Sequence, residues 1–301
     1  MSATGSVSSA RSNRAPVKFL PPPWTQARSP DILPRLDPVK RVIAEHWRRV
    51  WNFTFRMTLD REQARMCVEE TFLRVHIGAD KMPPANQCEA WLLRIAAHVV
   101  EKKAGRVPPV SFDLLDETLR SEATRTDLVK SLSSPQRDFY LWELKQGCMT
   151  SVVNCLPPGE RVAFVLSAIL GYTEDEASNV LGISNSAFKV RLSRARKKVT
   201  DYLAPRCEHV DPRNPCRCPS RLGVAMDRGF IPVGNVKLRP SFGRYGSQVD
   251  GEDAPLRDVM AIYHSLPDPD PPDDFPATLL ALADSAQWAD LKQRSRVAPL
   301  K

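Results

Sequence analysis

The chain has 301 residues, and its 43 lysines and arginines against 35 acidic residues give a formal net charge of +8. This basic balance favours an anionic partner such as nucleic acid. The apolar runs are too short to cross a bilayer and the N-terminal sequence lacks the apolar core of a secretory signal, so we exclude membrane-spanning and secreted proteins and expect a cytoplasmic location.

Proline divides the chain into a central part and two flanks. Most of the 27 prolines lie in the first forty residues or beyond residue 204. Because proline fixes φ and lacks a backbone donor, the central part can be helical and the flanks mostly cannot. Residues 1–38, which are rich in serine, proline and arginine, are predicted to be a disordered basic leader.

Three amphipathic segments follow within residues 39–106. Residues 39–57, 62–76 and 89–103 each place apolar side chains on one stripe at helical spacing. Helices of this kind can bury a shared core, so we predict a small three-helix bundle. The apolar residues of the three stripes are Val42, Ile43, Trp47, Val50, Trp51, Phe55, Ala64, Val68, Phe72, Leu73, Val75, Trp91, Leu92, Ile95, Ala96 and Val99.

Residues 107–152 are mildly acidic and only locally periodic, which predicts a linker with one or two short helices. A second helical unit follows in residues 153–204. Its three helices are predicted at 160–170, 173–181 and 185–203.

The turn between the last two of these helices is the most informative part of the sequence. Thr173 and Glu176 have the spacing of a capping box. Gly182 suits the left-handed residue that ends a helix, and Ser184 or Asn185 can cap the next one. A helix, a short glycine-containing turn and a second helix are typical of a helix-turn-helix unit.

The second helix of this unit separates apolar from basic side chains. Phe188, Leu192, Ala195 and Val199 recur at helical spacing and are predicted to pack inward. The other side carries six basic residues, as a helix that enters a phosphate-lined groove requires. They are Lys189, Arg191, Arg194, Arg196, Lys197 and Lys198.

Motifs in both units support one family. The second unit contains LPPGER at 156–161, GYT at 171–173, LGIS at 181–184 and KVRLSRAR at 189–196. These motifs resemble region 4 of the extracytoplasmic-function (group 4) sigma factors of bacterial RNA polymerase. The first unit contains VEETFLRV at 68–75 and AWLLRIA at 90–96, which resemble region 2 of the same family.

The resemblance implies an all-α, non-catalytic protein that binds core RNA polymerase and directs promoter-specific initiation. In this family, region 2 binds the clamp helices of the β′ subunit and opens the −10 element, and region 4 docks on the β flap and reads the −35 element. An anti-sigma factor is a further partner of many members. The loop at 77–88 corresponds to the one that holds a base flipped from the −10 strand.

The resemblance also assigns residues by position. Arg194 is the first choice for a base contact, since its planar fork can reach both acceptors of a guanine. The DNA-binding residues are expected to be Ser186, Lys189, Val190, Arg191, Ser193, Arg194 and Lys197. Of these, Lys189, Val190, Ser193 and Arg194 are expected to face the −35 major groove, and Arg191 and Lys197 are expected to contact phosphate. The polymerase-binding residues are expected to be Glu69, Glu70, Phe72 and Leu73.

The chain departs from the family pattern in region 2. Gln63, Arg65 and Met66 stand where the family usually has acids. His98, Val99, Val100 and Glu101 replace residues that touch promoter DNA. Two alternatives therefore stay open: a sigma-like DNA-binding regulator, and a polymerase or anti-sigma interaction protein without promoter melting. An enzyme is not expected, because no phosphate loop, nucleophile elbow or paired-carboxylate pattern is visible.

Four residues after the second unit resemble a metal site. Cys207 and His209 are followed by Cys216 and Cys218, and tetrahedral zinc accepts such ligands. The spacing differs from the CxxC pairs of zinc knuckles, so a loop with free thiols and a redox-active thiol pair are alternatives. No other cofactor is expected.

Residues 205–301 are predicted to be a largely irregular extension that is acidic and rich in proline, with short helices at 255–266 and 276–291. We hypothesise that the acidic stretches at 250–253 and 267–274 screen the basic DNA-binding unit within the molecule. The alternative is a disordered, solvated tail.

Overall fold

A computed structural model describes residues 37–104, 110–120, 132–227, 231, 256–266, 268–272 and 274–297. The expected leader lies almost entirely outside these residues. The predicted all-α class is confirmed, and within the described part none of the helices is long and apolar enough to cross a membrane. The helices are α1 (Pro38–Thr58), α2 (Arg61–Ile77), α3 (Ala85–Ala104), α4 (Phe112–Arg120), α5 (Ser134–Asn154), α6 (Pro158–Phe164), α7 (Glu174–Leu181), α8 (Asn185–Leu203), α9 (Cys218–Asp227), α10 (Val259–His264), α11 (Phe275–Ala283) and α12 (Ala286–Val297).

Helices α1, α2 and α3 form the predicted three-helix bundle. The Asp37 side chain accepts hydrogen bonds from Val39 N and Lys40 N, and thereby caps α1. The apolar stripes of the three helices face one another, and the side chains of Ile43 and Leu92 are fully buried between them. A short 3₁₀ turn, Ala79–Lys81, connects α2 to α3 within the loop at 77–88.

Helices α6, α7 and α8 form the predicted helix-turn-helix unit. The Thr173 hydroxyl accepts from Glu176 N, and a Glu176 carboxylate oxygen accepts from Thr173 N at 2.9 Å, so the capping box is present. Gly182 ends α7 with a φ of 65°, a conformation that a residue with a Cβ adopts only with strain. Ser184, one of the two proposed caps, precedes α8. The predicted helix at 160–170 is split into α6 and a π-helical turn, Val165–Ile169.

The two units share one continuous apolar core, which the sequence did not indicate. Helix α5, a 21-residue helix in the predicted linker, joins them, and the expected boundary at 152 falls inside it. The fully buried guanidinium of Arg56 in α1 donates to Thr150 Oγ1 and Gln146 Oε1 of α5, each at 2.7 Å. Arg161 of α6 donates to Met57 O at 3.0 Å. These bonds satisfy buried polar groups that would otherwise destabilise the junction.

The C-terminal extension is folded where the structure describes it. Its predicted helices appear as α10, α11 and α12, and their apolar side chains complete the same core. The Phe275 ring lies edge-on against Trp51, with ring centroids 5.4 Å apart, and Trp51 Nε1 donates to Pro269 O at 3.0 Å. The alternative of a solvated tail is therefore wrong for residues 256–297 as far as they are described.

The acidic residues of this extension contact the first bundle. Asp268 accepts from the Asn52 amide, and Asp284 forms an ion pair with Lys40. The hypothesis that acidic stretches screen the basic helix is not supported at 268–272 and 274–297, and the stretch at 250–253 lies outside the described residues.

Candidate nucleic-acid interface

Helix α8 is held by its N-terminal cap and by its apolar side. Ser184 Oγ accepts from Ala187 N at 3.2 Å, which satisfies one of the free amides of the first turn. The Asn185 side chain donates to the Asp175 carboxylate and so ties the start of α8 to α7. The four residues predicted to pack inward are buried. The remaining side of α8 consequently faces outward.

The residues predicted to contact DNA lie on this outward side. Spacing of three, four and seven residues brings most of them onto one surface of the helix. Ser186, Lys189, Val190, Ser193, Arg194 and Lys197 are exposed, and Arg191 is half-buried.

The basic side chains on this surface differ in whether they form ion pairs within the protein. Lys189 pairs with Glu174 at 3.4 Å, and Lys197 pairs with Asp201 at 2.9 Å. Pairs at such exposed positions contribute at most about 1 kcal/mol, so a phosphate can replace the carboxylate. Within the described part of the chain, Arg194 forms no hydrogen bond or ion pair.

Three other basic residues of α8 turn toward α6 and the residues around it. Lys198 pairs with Glu160 at 2.9 Å, and Arg196 donates to Ser167 Oγ at 3.5 Å. The guanidinium of Arg191 lies over Gly159, 3.6 Å from the position that a Cβ would take there. These side chains fix α8 against its own unit, so Arg191 is less available for phosphate than the sequence suggested.

The residues predicted to bind polymerase all lie on α2, and all but one of them reach its surface. Glu69 pairs with Arg65 at 3.4 Å, Glu70 pairs with Arg74 at 2.8 Å, and Leu73 is half-buried at the surface. Phe72 is fully buried in the core of the bundle. The expectation that Phe72 contacts a partner is therefore wrong, because its ring has no exposed atoms to offer.

Helix α12 covers part of the same side of α2. The Trp288 ring lies 5.7 Å from the His76 ring, centroid to centroid, and Trp288 is almost fully buried there. His76 follows Glu69 by seven residues and Leu73 by three, so the three side chains share one face of α2. The packing of α12 on α2 was not predicted from the sequence, because residues 76 and 288 are far apart in the chain and no local pattern relates them.

A polar network joins the first bundle to the second unit. Glu89 of α3 accepts from Arg49 Nε at 3.3 Å and from the Tyr172 hydroxyl, and it lies 3.8 Å from His46 Nδ1. Arg49 also donates to Leu170 O at 2.7 Å. The network therefore links α1 and α3 of the first bundle to the turn before α7.

The electrostatics of this network are strongly coupled. Burial disfavours the charged form of His46, but hydrogen bonds with Cys88 and Glu89 outweigh it and raise the pKa of His46 to about 9. The hydrogen bond from His46 lowers the pKa of Glu89 to about 2, against an opposing effect of burial, with further help from Tyr172 and Arg49. His46 and Glu89 therefore form a charged pair at neutral pH.

The four predicted metal ligands are divided between two places. Cys207 and Cys216 face each other in a two-residue parallel bridge, in which Cys216 N donates to Arg206 O at 3.0 Å. His209 and Cys218 lie together in a second group, joined by the carboxylate of Glu208. No sequence pattern singles out Glu208, because a carboxylate between a cysteine and a histidine is usually solvated.

Comparisons with known proteins find sigma factors, and the family model matches the second unit. Residues 146–199 match the family model described as sigma-70, region 4. The ECF RNA polymerase sigma factor SigE of Mycolicibacterium smegmatis is 25% identical over 163 residues, covering 54% of this chain and 60% of that protein. The ECF RNA polymerase sigma factor SigM of Bacillus subtilis is 26% identical over 153 residues, covering 50% of this chain and 85% of its own.

A solved structure is also similar. The sigma factor RpoE of Bartonella quintana, crystallised with the anti-sigma factor NepR, shares 16% sequence identity, with a TM-score of 0.36 and coverage of 52% of this chain and 91% of that chain. The match to SigE spans about three fifths of that relative's length. The chain is therefore similar to sigma factors of the extracytoplasmic-function group, and its residues 146–199 match region 4 of the sigma-70 family.

Proposed function

We propose that this protein is a sigma factor that binds core RNA polymerase in the cytoplasm and directs transcription from specific promoters. The observation that carries the proposal is the outward side of α8, where Lys189, Val190, Ser193 and Arg194 are exposed on a helix fixed by a capped helix-turn-helix. The protein contributes recognition and no catalytic step, since the polymerase supplies the chemistry.

Region 4 reads the −35 element through α8. An α-helix fits the major groove of B-DNA, where the edge of each base pair has its own pattern of donors and acceptors. Arg194, which has no partner among the described residues, can donate both of its terminal nitrogens to the O6 and N7 atoms of a guanine. Val190, at 51% exposure, supplies an apolar contact for a thymine methyl group.

Other cations of α8 bind the DNA backbone. Lys197 and Lys189 exchange their carboxylate partners for phosphates, which positions the helix without reading sequence. Each such contact releases counterions, so binding weakens as the salt concentration rises. Arg191 makes a smaller contribution because it packs over Gly159.

Region 2 holds the polymerase and the −10 element. Glu69, Glu70 and Leu73 on α2 are the residues available to the clamp helices of β′, and the loop at 77–88 receives a base from the opened strand. Region 4 docks on the β flap while it binds the −35 element. An anti-sigma factor that holds the two units together would keep the protein from the polymerase.

The two units are in contact in this structure, an arrangement we call closed. They must move apart before both promoter elements can be bound. The names of the −35 and −10 elements place them about 25 base pairs apart, which is about 85 Å of straight DNA at 3.4 Å per pair. Helices α3 and α7 are in contact here, and Arg94 of α3 donates to Val180 O of α7 at 3.0 Å. The two units must therefore separate on the polymerase.

Run-off transcription with purified core polymerase on a promoter library tests the proposal. The wild-type protein should give promoter-specific transcripts without any other sigma factor. Arg194→Ala should lose about 1–3 kcal/mol of discrimination at one −35 base pair, which is about a fivefold to hundredfold change in promoter preference. Arg196→Ala, a matched control on the side of α8 that faces Ser167, should keep the wild-type preference.

Three results would contradict the proposal or its assignment of the reading residue. Absence of any transcript with core polymerase would favour a conventional DNA-binding regulator. Binding to core polymerase without permanganate-reactive thymines at the promoter would favour the interaction protein that does not melt DNA. Unchanged promoter preference in Arg194→Ala would show that a different residue of α8 reads the −35 element.

A further inference from the structure

The loop after α8 brings three metal-ligating groups together in the interior. The carboxylate of Glu208, the imidazole of His209 and the thiol of Cys218 each place a ligand atom within 4.8 Å of the other two. All three residues are buried, with 5%, 2% and 7% of their surfaces exposed. Such a combination of an acid, an imidazole and a thiol is rare in an interior without a function, since a buried carboxylate must be compensated.

We propose that Glu208, His209 and Cys218 form a zinc site. Zinc bonds of about 2.3 Å to sulfur and about 2.0–2.1 Å to nitrogen, at a tetrahedral angle, hold the two ligand atoms about 3.5 Å apart. Cys218 Sγ and His209 Nε2 lie 3.5 Å apart. Because this distance fits a pair of ligands on one metal, the side chains need little movement to bind it.

The surroundings orient the Glu208 carboxylate toward the other two groups. Cys218 N donates to Glu208 Oε1 at 2.5 Å and orients the carboxylate, and Arg217 Nη1 lies 3.9 Å from Glu208 Oε2. Outer contacts of this kind orient metal ligands.

The site would tie two helices of the protein together. Glu208 and His209 follow the end of α8, and Cys218 is the first residue of α9. Helix α9 packs Leu222 and Met226 against Tyr140 and other residues of α5, outside the main core. A metal at this point fixes α9 and its partner α5 to the end of the helix that reads DNA.

Zinc in proteins usually has four ligands, and the fourth is a water or a nearby thiol. Cys207 and Cys216 are the thiols of the same loop, and their backbones are adjacent. The site contains at least the Cys218 thiolate in either case, so the ligand set has a spectroscopic signature that does not depend on transcription.

Metal analysis of the full-length protein tests the site. The protein, produced in zinc-supplemented medium without a metal-binding tag, should retain about one zinc per chain after dialysis, as measured by plasma mass spectrometry. Cys218→Ser and His209→Asn should each reduce zinc at least fivefold. Cys155→Ser is the matched control, because the Cys155 thiol only donates to Ser151 O and a serine hydroxyl can do the same.

Cobalt binding to the metal-free wild-type protein tests the site without the variants, so the result does not depend on whether the variants fold. We expect one equivalent of Co²⁺ to bind with a sulfur-to-cobalt charge-transfer band, and the intensity of that band counts the thiolate ligands. Zinc well below one equivalent in the wild type, equal zinc in wild type and Cys218→Ser, or cobalt binding without a charge-transfer band would each overturn the proposal.

Discussion

Glu89 is the residue on which the junction between the two units depends most directly. It accepts hydrogen bonds from residues of α1 and of the turn before α7, and its partner His46 carries a proton at neutral pH. Each of these two groups stabilises the folded, closed state only while it is charged. The stability of the junction must therefore depend on pH at both ends of the range.

The sign of this dependence follows from the two pKa values. The pKa of His46 is raised in the folded state, so its contribution is complete below about 6.5 and is lost as the pH rises toward about 9. The pKa of Glu89 is lowered, so its contribution is present above about 4.5 and is lost as the pH falls toward about 2. The junction is most stable between about pH 4.5 and 6.5.

We expect Glu89→Gln to flatten the pH profile of thermal unfolding. In the wild type the unfolding midpoint should fall between about pH 6.5 and 9 more steeply than in the variant, because the variant removes the partner of His46. Differential scanning fluorimetry across this range measures the difference. Glu101→Gln, an exposed position of the same helix, should follow the wild type. Parallel profiles for wild type and Glu89→Gln would contradict the assignment.

At the scale of helices, the sequence predicted the positions of those helices that local periodicity or capping residues define. The periodicity of 3.6 residues located α1, α2, α3 and α8, and the capping box with Gly182 located the turn before α8. The outward side of α8 follows from the same periodicity. Local periodicity also placed Phe72 on an apolar stripe, and this was the better guide, because the motif-based assignment gave it a partner contact that its burial forbids.

The parts that could not be predicted depend on contacts between distant residues. Trp51 donates a hydrogen bond to Pro269 O, and Arg56 donates one to Gln146 Oε1. The partners are far apart in the sequence, so no local pattern predicts these contacts. High proline content suggested an irregular extension, yet prolines at helix starts are tolerated, and Pro276 lies in the first turn of α11. The Glu208 ligand group likewise exists only after the loop has folded.

Helix α12 covers part of the face of α2 that carries Glu69 and Leu73, at His76. We expect Trp288→Ala to loosen this helix, because the variant removes a large buried ring from the contact with His76. Exposure of the α2 face should strengthen binding to core polymerase several-fold, as measured by fluorescence anisotropy of labelled protein.

The neighbouring residue provides the control for this prediction. Gln287 is exposed on α12, so Gln287→Ala should bind core polymerase as the wild type does. Circular dichroism should show that both variants keep their helices. Binding that is unchanged or weaker in Trp288→Ala would mean that α12 does not compete with the polymerase for α2.

Within the described residues, one main core spans what the sequence suggested were two domains. Apolar residues of the three-helix bundle, the helix-turn-helix unit, the end of α5 and the C-terminal helices form this cluster, and Tyr263 of α10 donates to Met149 O at 3.0 Å. A shared core of this kind couples the units, so opening exposes apolar surface as well as polar groups.

We expect energy transfer between labels on the two units to drop when the protein binds polymerase and promoter. His98 of α3 and Thr200 of α8 are exposed positions for a donor and an acceptor introduced as unnatural amino acids. The drop follows from the separation of about 85 Å that the two promoter elements impose. A label pair within the bundle, at Glu62 and His98, should show no change. Constant transfer for the first pair would show that the closed arrangement persists on DNA.

The shared core also affects the dissociation constant that a titration with polymerase measures. Only molecules whose units are apart can engage both promoter elements, so the apparent dissociation constant equals the intrinsic one divided by the fraction already open. If about one molecule in a hundred is open, the apparent constant is about a hundredfold weaker than the intrinsic one. A substitution in the core far from any partner, such as one at Tyr263, would then tighten apparent binding without adding a contact.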